Sequence, residues 1–452
     1  MRQCGAFTGR RLAFELSRVW RAADSQYDLA LVLSSYNGKS SSLHQTIALN
    51  IIIVGTGLGF PDGAGAAARV MCYARGLVQN GAVVRVFCTK PSENTSSGLR
   101  NPHLEGVIDG VYYEYTSGRR VAAKTRVAAL ALYLRGLWRA CHNARSIHRE
   151  TPVDAIVLYN STHPIDLLVF GALAKMLGAV LITDECEFPF VNGSQTIAVR
   201  ARRWFRGRLM YWLVDGVIVI STFLRDYYVA RLRETTMLIH IPILVECELF
   251  VPGVRLADRT DRRIVYCGGN GHESEVAELL RAFAQCSADF PEWRVQLIGE
   301  ISGKEGRSEL CALISQHNLT GRVLFTGWRP RKDIPHLLSE GDIMALARAE
   351  GLFSTAGFPT KLGEYLASGK PVVTTATGDI PRYLRSGVDA FLVHSGDTVA
   401  FAETLRYVMS HPEHATEVGL RGRQIALKEF SNVRHGARLI EFIGALQVAH
   451  NT

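Results

Sequence analysis

Two absences limit what this 452-residue chain can be. No hydrophobic run approaches the ~18–20 residues that a bilayer-spanning helix needs. The longest candidate, Leu213–Ile220, is interrupted by Asp215 and Gly216. The nine cysteines include no C-x-x-C pair, which excludes the usual zinc spacings and favours reduced thiols in the cytoplasm. We therefore expect no membrane span, no metal site and no cofactor.

The composition is that of a folded protein with a net positive charge. With 47% hydrophobic and 21% charged residues the chain is globular, and its length predicts two or three domains at ~100–200 residues each. The net charge of +9 calls for an anionic partner: a polyanion, a membrane surface or a phosphorylated substrate. Because no zinc spacing, RNA-recognition motif or basic tail is present, we expect no nucleic-acid partner.

The first 48 residues differ in composition from the rest. They contain five arginines and a polar tract at Ser34–Ser42, which suggests a targeting peptide. The acidic residues Glu15, Asp24 and Asp28 count against a transit peptide, however, and no long apolar core supports secretion. We interpret residues 1–48 as an extension of uncertain structure and leave it out of the fold prediction.

A strand–glycine–helix pattern occurs twice in the remainder. Asn50–Gly55 is a β-branched run ending in glycine, and a glycine-rich turn, a helical segment and a further apolar run follow it. After a polar segment containing Pro-Gly, Arg263–Gly268 opens a second series of the same kind. Strands that alternate with helical segments of about 10–15 residues predict parallel sheets.

The predicted fold class is α/β, with two facing Rossmann-like domains, each a doubly wound parallel sheet, and a cleft between them. We place the N-terminal domain at 49–250, a linker at 251–262 and the C-terminal domain at 263–428. Residues 429–452 are predicted to form an amphipathic C-terminal helix. Ligands of such sheets bind at the carboxyl ends of the strands.

The most informative pattern lies within residues 348–373. Gly357-Phe358-Pro359 is predicted to be a loop that starts a helix. The open amides near Thr360 and the charge of Lys361 would suit a diphosphate. Glu364, one turn further, could accept hydrogen bonds from the vicinal hydroxyls of a ribose. Taken alone, the pattern also fits an ordinary helix with a surface lysine and glutamate.

This segment resembles the donor-binding signature of family-4 retaining glycosyltransferases of the GT-B fold. The closest resemblance is to their polysaccharide-assembly branch, on the residues G-F-P-T-K-L-G-E-Y-L-A-S-G-K-P-V-V. The resemblance extends over about residues 49–445 and includes Thr183–Pro189 and Asp215–Ser221. It implies a nucleotide-sugar donor, no required metal and retention at the anomeric carbon. It also implies a C-terminal helix that crosses back to the N-terminal domain.

Carried over residue by residue, the resemblance gives Glu364 the place of the second glutamate of an E-x7-E element, on the donor ribose. The first glutamate is missing, because its place is taken by Ala356. The family's Arg and Lys for the diphosphate are also missing from Cys267–Glu275. We expect Lys361 and Arg348, together with the loop amides, to replace these charges, and Arg329 is a further candidate for the same role. The predicted donor-binding residues are Gly357, Phe358, Thr360, Lys361, Glu364 and Arg348.

Two acidic residues are the catalytic candidates in the N-terminal domain. Thr183–Glu187 follows a buried strand, so its acids are predicted at the mouth of the cleft, where the resemblance places a group facing the anomeric carbon. Glu185 fits best by strand register and Asp184 next, whereas a solvated loop would account for the other acids of the segment. His163 also follows a strand and is a further candidate, although a loop histidine can equally have a purely structural role.

The glycine-rich turn after the first strand contains Gly57, Gly59 and Gly63. It is not a dinucleotide fingerprint, since no acidic residue ends the second strand, where Cys88-Thr-Lys90 stands. In the glycosyltransferase interpretation the loop backbone approaches the donor phosphate or the acceptor. A purely structural turn is the alternative.

Two basic clusters lie in the N-terminal half. Residues 119–149 carry eight Lys and Arg and no acid, and residues 200–213 join five arginines to aromatic residues. Both resemble amphipathic helices that bind anionic lipid, and both also fit a solvated basic face.

The sequence thus predicts a cytoplasmic enzyme that transfers a sugar from a nucleotide sugar to a glycan or lipid-linked acceptor in cell-surface polysaccharide synthesis. Peripheral attachment to the inner membrane face is left open. A GT-B sugar-nucleotide epimerase and a non-catalytic glycan- or lipid-binding relative are the alternatives.

Overall fold

The structure is a computed structural model. It describes residues 14–21, 48–63, 65–93, 99–161, 163–188, 196–251, 261–269, 271–300 and 304–451. These form two compact units: unit 1 runs to Pro242 and resumes at Val433, and unit 2 is Ile243–Asn432. The sequence places the first boundary at 250; most of the predicted linker, residues 252–260, lies outside the described residues.

Unit 1 is built on an eight-stranded sheet in the order β3-β4-β2-β1-β5-β6-β7-β8. All neighbours are parallel except β3 and β4, which form an antiparallel hairpin at one edge. The central β1 is buried along its whole length, as its continuous apolar run requires when helices cover both faces of a sheet. The strands are β1 (Asn50–Gly55), β2 (Val83–Cys88), β3 (Glu105–Ile108), β4 (Val111–Tyr115), β5 (Ala155–Tyr159), β6 (Val180–Glu185), β7 (Gly216–Val219) and β8 (Met237–His240).

The helices of unit 1 connect these strands and cover the sheet. They are α1 (residues 14–21), α2 (Gly65–Gln79), α3 (Arg126–Glu150), α4 (Pro164–Leu177), α5 (Ile197–Leu213) and α6 (Thr222–Val229). Thr125 caps α3 by accepting a hydrogen bond from the Ala128 amide, and Gly178 ends α4 in the left-handed conformation.

Part of the N-terminal extension packs into unit 1. Trp20 of α1 is buried, and its ring meets the ring of Phe442 edge to face at 5.0 Å between centroids. The Arg21 guanidinium donates to the Thr236 carbonyl oxygen at 2.9 Å. Within the extension of uncertain structure, residues 14–21 therefore form a helix of unit 1, and burial of the indole stabilises this docked helix.

The last helix of the chain, α15 (Asn432–Asn451), belongs to unit 1 beyond its first residue. It passes so close to β7 that a Cβ at Gly216 would lie 2.8 Å from Leu446 Cδ1. The polypeptide thus leaves unit 1, builds unit 2 and returns.

Unit 2 contains a fully parallel six-stranded sheet in the order β11-β10-β9-β12-β13-β14. Its strands are β9 (Arg262–Cys267), β10 (Trp293–Ile298), β11 (Val323–Gly327), β12 (Ile343–Leu346), β13 (Val372–Thr375) and β14 (Phe391–Val393). Its helices are α7 (Glu273–Cys286), α8 (Lys304–Gln316), α9 (Ile334–Ser339), α10 (Leu352–Ala356), α11 (Thr360–Ala367), α12 (Ile380–Tyr383), α13 (Thr398–Ser410) and α14 (Pro412–Ile425). Short 3₁₀ turns lie at Cys247–Leu249, Ser287–Asp289 and Arg331–Asp333, and a π turn lies at Ala426–Phe430.

The strand order reverses once in each sheet. In unit 1 the reversal lies between β1 and β5, and in unit 2 it lies between β9 and β12. Connections leave such a pair of strands in opposite directions, which opens a crevice at their carboxyl ends where ligands of doubly wound sheets bind. We call these two places the unit 1 and unit 2 switch points.

Candidate functional site

The unit 2 switch point gathers residues from β9, β12, α7 and α11. Arg348 follows β12 and is buried, and Lys361 is the second residue of α11, which begins at Thr360. The Cys267 amide at the end of β9 donates to the Tyr365 hydroxyl at 2.6 Å, which fixes α11 beside that strand. The fold thereby brings Arg348 and Lys361 to one crevice, as the sequence predicts.

Glu275, in the first turn of α7, joins the two cations. The Lys361 ammonium donates to Glu275 Oε2 at 3.1 Å and to the Tyr266 hydroxyl at 2.7 Å. The Tyr266 hydroxyl in turn donates to Glu275 Oε2 at 2.6 Å. Arg348 Nε lies 3.7 Å from Glu275 Oε1, and His272 Nδ1 lies 3.3 Å from the same oxygen. One carboxylate therefore holds every basic group of the cluster.

Burial and charge act in opposite directions on these groups. Burial opposes ionisation of Glu275, but the hydrogen bond from His272 and the charge of Lys361 outweigh it and lower the pKa to about 2. Burial lowers the pKa of Lys361 despite the attraction of Glu275, and burial also lowers the pKa of Arg348. Glu275 thus opposes the effect of burial on the pKa of Lys361.

One donor of the cluster remains available. Arg348 Nη1 is buried and has no hydrogen-bond partner among the described residues. A guanidinium nitrogen in this state can donate a hydrogen bond to an oxygen of a bound anion.

Glu364 lies one turn further along α11 and is half-buried. Arg331 bridges two carboxylates here, donating to Glu364 Oε1 at 3.4 Å and to Glu246 Oε1 at 3.0 Å. Burial raises the pKa of Glu364 more than the Arg331 charge lowers it. The 3.4 Å bond is the longer of the two, so Glu364 is the more weakly held carboxylate of the pair.

The other predicted donor-binding residues have different surroundings. Phe358 is buried among the rings of Tyr383 and Phe430, with centroids at 5.5 and 5.7 Å. This packing holds the Phe358 ring inside unit 2, and its predicted contact with the donor stays a prediction. Gly357 is extended, and a Cβ there would lie 3.0 Å from the Phe353 carbonyl oxygen, so a larger residue would require the backbone to shift by a few tenths of an ångström. The reserve cation, Arg329, is exposed.

Asp184 in unit 1 differs from the accessible acid that the sequence predicts. It is fully buried, and its Oδ2 lies 3.2 Å from Arg69 Nε. Arg69 is buried too and donates to the carbonyl oxygens of Pro242 at 2.7 Å and Ile241 at 3.0 Å. Since a buried cation needs this many acceptors, the Asp184 carboxylate is committed to the core.

Glu185 is buried in a second ion pair. Its carboxylate accepts from the Arg206 guanidinium and, at 2.8 Å, from the Tyr228 hydroxyl. The charge of Glu185 raises the pKa of Arg206 above its ordinary value, although burial alone would lower it. Of the three acids in Thr183–Glu187, only Glu187 is exposed. The expectation that these acids stand at the mouth of a cleft is therefore corrected for Asp184 and Glu185, because both neutralise buried arginines.

The glycine-rich turn is a tightly held loop of unit 1. Gly57 and Gly59 have positive φ angles of 76° and 63°, and a Cβ at Gly63 would lie 2.7 Å from the Gly59 carbonyl oxygen. Asn101 anchors the loop by donating to the Gly59 carbonyl oxygen at 3.1 Å and accepting from the Asp62 amide at 2.8 Å. The glycines are required by the backbone path, and their predicted approach to a ligand stays a prediction.

Sequence reasoning missed the acidic partner of the unit 2 cations. Glu275 lies in a stretch from which the family's Arg and Lys are missing, so the stretch gave no sign of an ionic site. Tyr266 and His272 are ordinary residues of a strand end and a loop. Glu275 lies 86 positions from Lys361, a separation that no local pattern spans. Its place in the first turn of a helix after the first strand of unit 2 was the one available signal.

The sequence matches two families of glycosyltransferase domains. Residues 64–241 match the glycosyl transferase 4-like domain, and residues 252–425 match glycosyl transferases group 1. Each match covers most of one unit of the structure.

Individual relatives share about a quarter or slightly more of their aligned residues with this chain. A GDP-mannose-dependent alpha-(1-6)-phosphatidylinositol monomannoside mannosyltransferase of Mycolicibacterium smegmatis is 24% identical over 65% of this chain and 77% of its own length. A putative colanic acid biosynthesis glycosyltransferase, WcaL of Salmonella typhimurium, is 29% identical over 34% of this chain. The chain spans 37% of the length of that second relative.

Solved structures share the architecture. Sucrose-phosphate synthase from Thermosynechococcus elongatus superposes with a TM-score of 0.66 at 18% identity, over 88% of this chain and 100% of that one. Anabaena HepE in complex with UDP-glucose gives a TM-score of 0.64 at 18% identity over the same shares. With two parallel-sheet α/β units and both domain families matched in order, the chain has the GT-B fold and belongs to the family-4 glycosyltransferases.

Proposed function

We propose that this glycosyltransferase binds a nucleoside diphosphate sugar at the unit 2 switch point and transfers the sugar with retention of its anomeric configuration. The acceptor is a glycan or a lipid-linked glycan of polysaccharide or glycolipid synthesis. In the transfer, the bond between the anomeric carbon and the phosphate oxygen breaks and a bond to an acceptor hydroxyl oxygen forms. The hydroxyl proton passes to the diphosphate oxygen that leaves.

The observation that carries this proposal is the convergence of Lys361 and Arg348 on one carboxylate, with Arg348 Nη1 left unpaired among the described residues. A leaving diphosphate gains negative charge in the transition state, and preorganised cations at a buried site stabilise that charge. Lys361 also stands in the first turn of α11, whose amides favour an anion. Glu364 is placed to accept from the ribose hydroxyls, and Arg331 orients it.

The experiment is a comparison of Lys361→Ala with Lys332→Ala, an exposed lysine of the same unit as the matched control. We expect Lys361→Ala to lower the rate of nucleoside diphosphate release from the preferred nucleotide sugar by about 10²–10³, the usual effect of losing one such donor. The measurement is a panel of nucleotide sugars followed by nucleotide release. Equal rates for the two variants would remove Lys361 from the site.

Relatives support the class of donor and acceptor. HepE was solved with UDP-glucose, and the mycobacterial relative is named for GDP-mannose and a phosphatidylinositol mannoside. Both donors are nucleoside diphosphate sugars. Retention is tested by nuclear magnetic resonance of the first-formed product, where the anomeric coupling of the new bond must match that of the donor.

Two surfaces of unit 1 support binding to an anionic membrane on the inner face, where a lipid-linked acceptor would lie. On α3, the exposed apolar residues Val127, Leu130, Leu134 and Trp138 recur at helical spacing beside exposed arginines. On α5, Trp204 and Trp212 are exposed in the same way. An apolar stripe flanked by cations is typical of helices that lie on anionic lipid. Among the described residues no helix is long and apolar enough to cross a bilayer.

Sedimentation with anionic vesicles at low salt tests this surface. We expect Leu134→Ala combined with Trp138→Ala to reduce the bound fraction several-fold. Leu420→Ala, an exposed apolar residue of unit 2, should not reduce it. A wild-type protein that stays in the supernatant would contradict membrane binding and leave the donor site untouched.

A further inference from the structure

The unit 1 switch point carries a second cluster of polar residues. At its centre is Asp166, which is buried in the first turn of α4. Its carboxylate accepts from the Ser161 hydroxyl at 2.7 Å, from the Thr56 hydroxyl at 3.2 Å and from the Tyr133 hydroxyl. Three hydroxyl donors thus satisfy the carboxylate, and it forms no ion pair with a described residue.

Two cations of unit 1, Lys90 and Arg202, form no ion pair with a described residue. Lys90 follows β2, is half-buried and places its ammonium 4.0 Å from the centre of the Tyr133 ring. Arg202 on α5 has a buried Nε without a hydrogen-bond partner. Within the described part of the chain, no carboxylate lies within 4.0 Å of either group. An anion bound beside these two cations would supply the counter-charge that the described residues do not provide.

His163 completes the cluster, with its ring centroid 5.7 Å from that of Tyr133. Burial lowers the pKa of His163, the charges of Lys90 and Arg202 lower it further, and Asp166 opposes them. Burial and the Arg202 charge also lower the pKa of Lys90, again against Asp166. Lys90 and His163 thus lie beside the same Tyr133 ring, and the charge of Arg202 acts on both of them.

We infer that Lys90, Arg202 and His163 bind a phosphate group of the acceptor at the unit 1 switch point. The two fixed positive charges match a phosphate dianion, and the neutral imidazole supplies one further hydrogen bond. A crevice at the carboxyl ends of β1 and β5 is where a doubly wound sheet receives its ligand. The acceptor role of this phosphate rests on the proposed function, whereas anion binding itself does not.

The test uses the full-length protein and inorganic phosphate, titrated calorimetrically against chloride at equal ionic strength. We expect Lys90→Met to weaken phosphate binding at least tenfold, since a charge-assisted hydrogen bond is lost while the aliphatic stem is kept. Arg202→Met should have an effect of similar size. Lys175→Met, an exposed lysine on α4, is the matched control and should bind phosphate as the wild type does.

Two further arms locate the source of the phosphate. Tighter binding to phosphatidic acid vesicles than to glycerol 3-phosphate assigns the site to a lipid phosphate, and the reverse order assigns it to a soluble phosphate monoester. Whichever preference the wild type shows must be lost in Lys90→Met. Phosphatidylglycerol vesicles of equal charge are the blank, because α3 and α5 are proposed to bind any anionic vesicle. Equal phosphate affinity of the wild type and Lys90→Met, or no phosphate binding by the wild type, overturns the inference.

Nucleotide-sugar binding separates this inference from the proposed function. Lys90→Met should leave nucleoside diphosphate affinity unchanged, because the donor cluster belongs to unit 2. If phosphate binding behaves as expected and no nucleotide sugar binds, the proposed donor site fails while the phosphate site stands.

Discussion

The two switch points solve the same electrostatic problem in opposite ways. In unit 2 the carboxylate of Glu275 is held by cations, with Lys361 at 3.1 Å and Arg348 at 3.7 Å. In unit 1 the carboxylate of Asp166 is held by hydroxyls, and the neighbouring Lys90 and Arg202 are left without it. The unit 2 cations are therefore already ordered before a ligand arrives, whereas those of unit 1 depend on a ligand for their neutralisation.

A third carboxylate, that of Asp184, is fully buried and forms an ion pair within the core of unit 1. Asp184 neutralises Arg69, and both side chains are buried. We expect Asp184→Ala to lower the free energy of unfolding by about 3–5 kcal/mol, because it leaves Arg69 buried without its counter-ion. Urea denaturation measures the change, with Asp226→Ala as the control at an exposed aspartate. A loss below about 1 kcal/mol would place Asp184 among weakly held groups and return it to the catalytic candidates.

The free energy of unfolding at acid pH tests how strongly the unit 2 cations hold the Glu275 carboxylate. A carboxylate with a lowered pKa stabilises the folded state above its ordinary value of 4.5, and this contribution is lost as the pH falls through about 2. The expected loss for the wild type is about 3 kcal/mol, from ~1.4 kcal/mol for each pH unit. Glu275→Gln does not titrate, so the stability difference between wild type and variant should narrow over this window. A constant difference would contradict the ion-paired state; Glu309→Gln, at an exposed glutamate, is the control.

The same substitution should change ligand binding at the alkaline end. Glu275 raises the pKa of Lys361 against the effect of burial, and a diphosphate needs the protonated lysine. In Glu275→Gln the Lys361 pKa falls further, so nucleoside diphosphate affinity should decline at a lower pH than in the wild type. If the Lys361 pKa falls by one, affinity on the alkaline side should fall about tenfold. Calorimetric titrations over the alkaline range give the profile, and superimposable profiles would contradict a role for Glu275 in holding the lysine proton.

The equivalent change in unit 1 should strengthen ligand binding when it is measured at neutral pH rather than in the alkaline range. Asp166→Asn removes the negative charge near Lys90 and Arg202 and keeps an acceptor for the surrounding hydroxyls. Phosphate affinity should therefore rise roughly two- to fivefold, since a partly solvated charge pair contributes about 0.2–1 kcal/mol. The measurement is the calorimetric phosphate titration, with Asp226→Asn as control. Weaker binding in Asp166→Asn would show that the two switch points work alike.

Strands and helix starts could be predicted from local pattern, and contacts between distant elements could not. The buried apolar runs of both sheets were found because strands covered on both faces are continuously hydrophobic, as in Ile51–Val54. The β3–β4 hairpin was missed, although Asp109-Gly110, with φ angles of 49° and 81°, is a typical hairpin turn. Its alternating, half-exposed residues carry a weaker hydrophobic signal than the central strands do.

The same distinction between local pattern and distant contacts applies to the residues of the candidate site. The loop–helix pattern around Thr360 placed Lys361 correctly in the first turn of α11, because helix starts have local signals. Burial of Asp184 and Glu185 could not be predicted, because it depends on Arg69 and Arg206, whose side chains reach β6 from other elements. An acid at the end of a strand looks the same in the sequence whether a ligand or a buried arginine neutralises it.

The return of the chain through α15 has a consequence for how the protein can be divided. Unit 2 is an insertion in unit 1, with junctions after Pro242 and before Val433. A truncation at the first junction would strip unit 1 of Phe442 and Leu446, which pack against Gly216, and would expose that surface to water. A chimera meant to exchange donor specificity with a relative must therefore graft residues 243–432 as a single cassette with two seams. A conventional fusion at one seam would sever unit 1 from its own last helix.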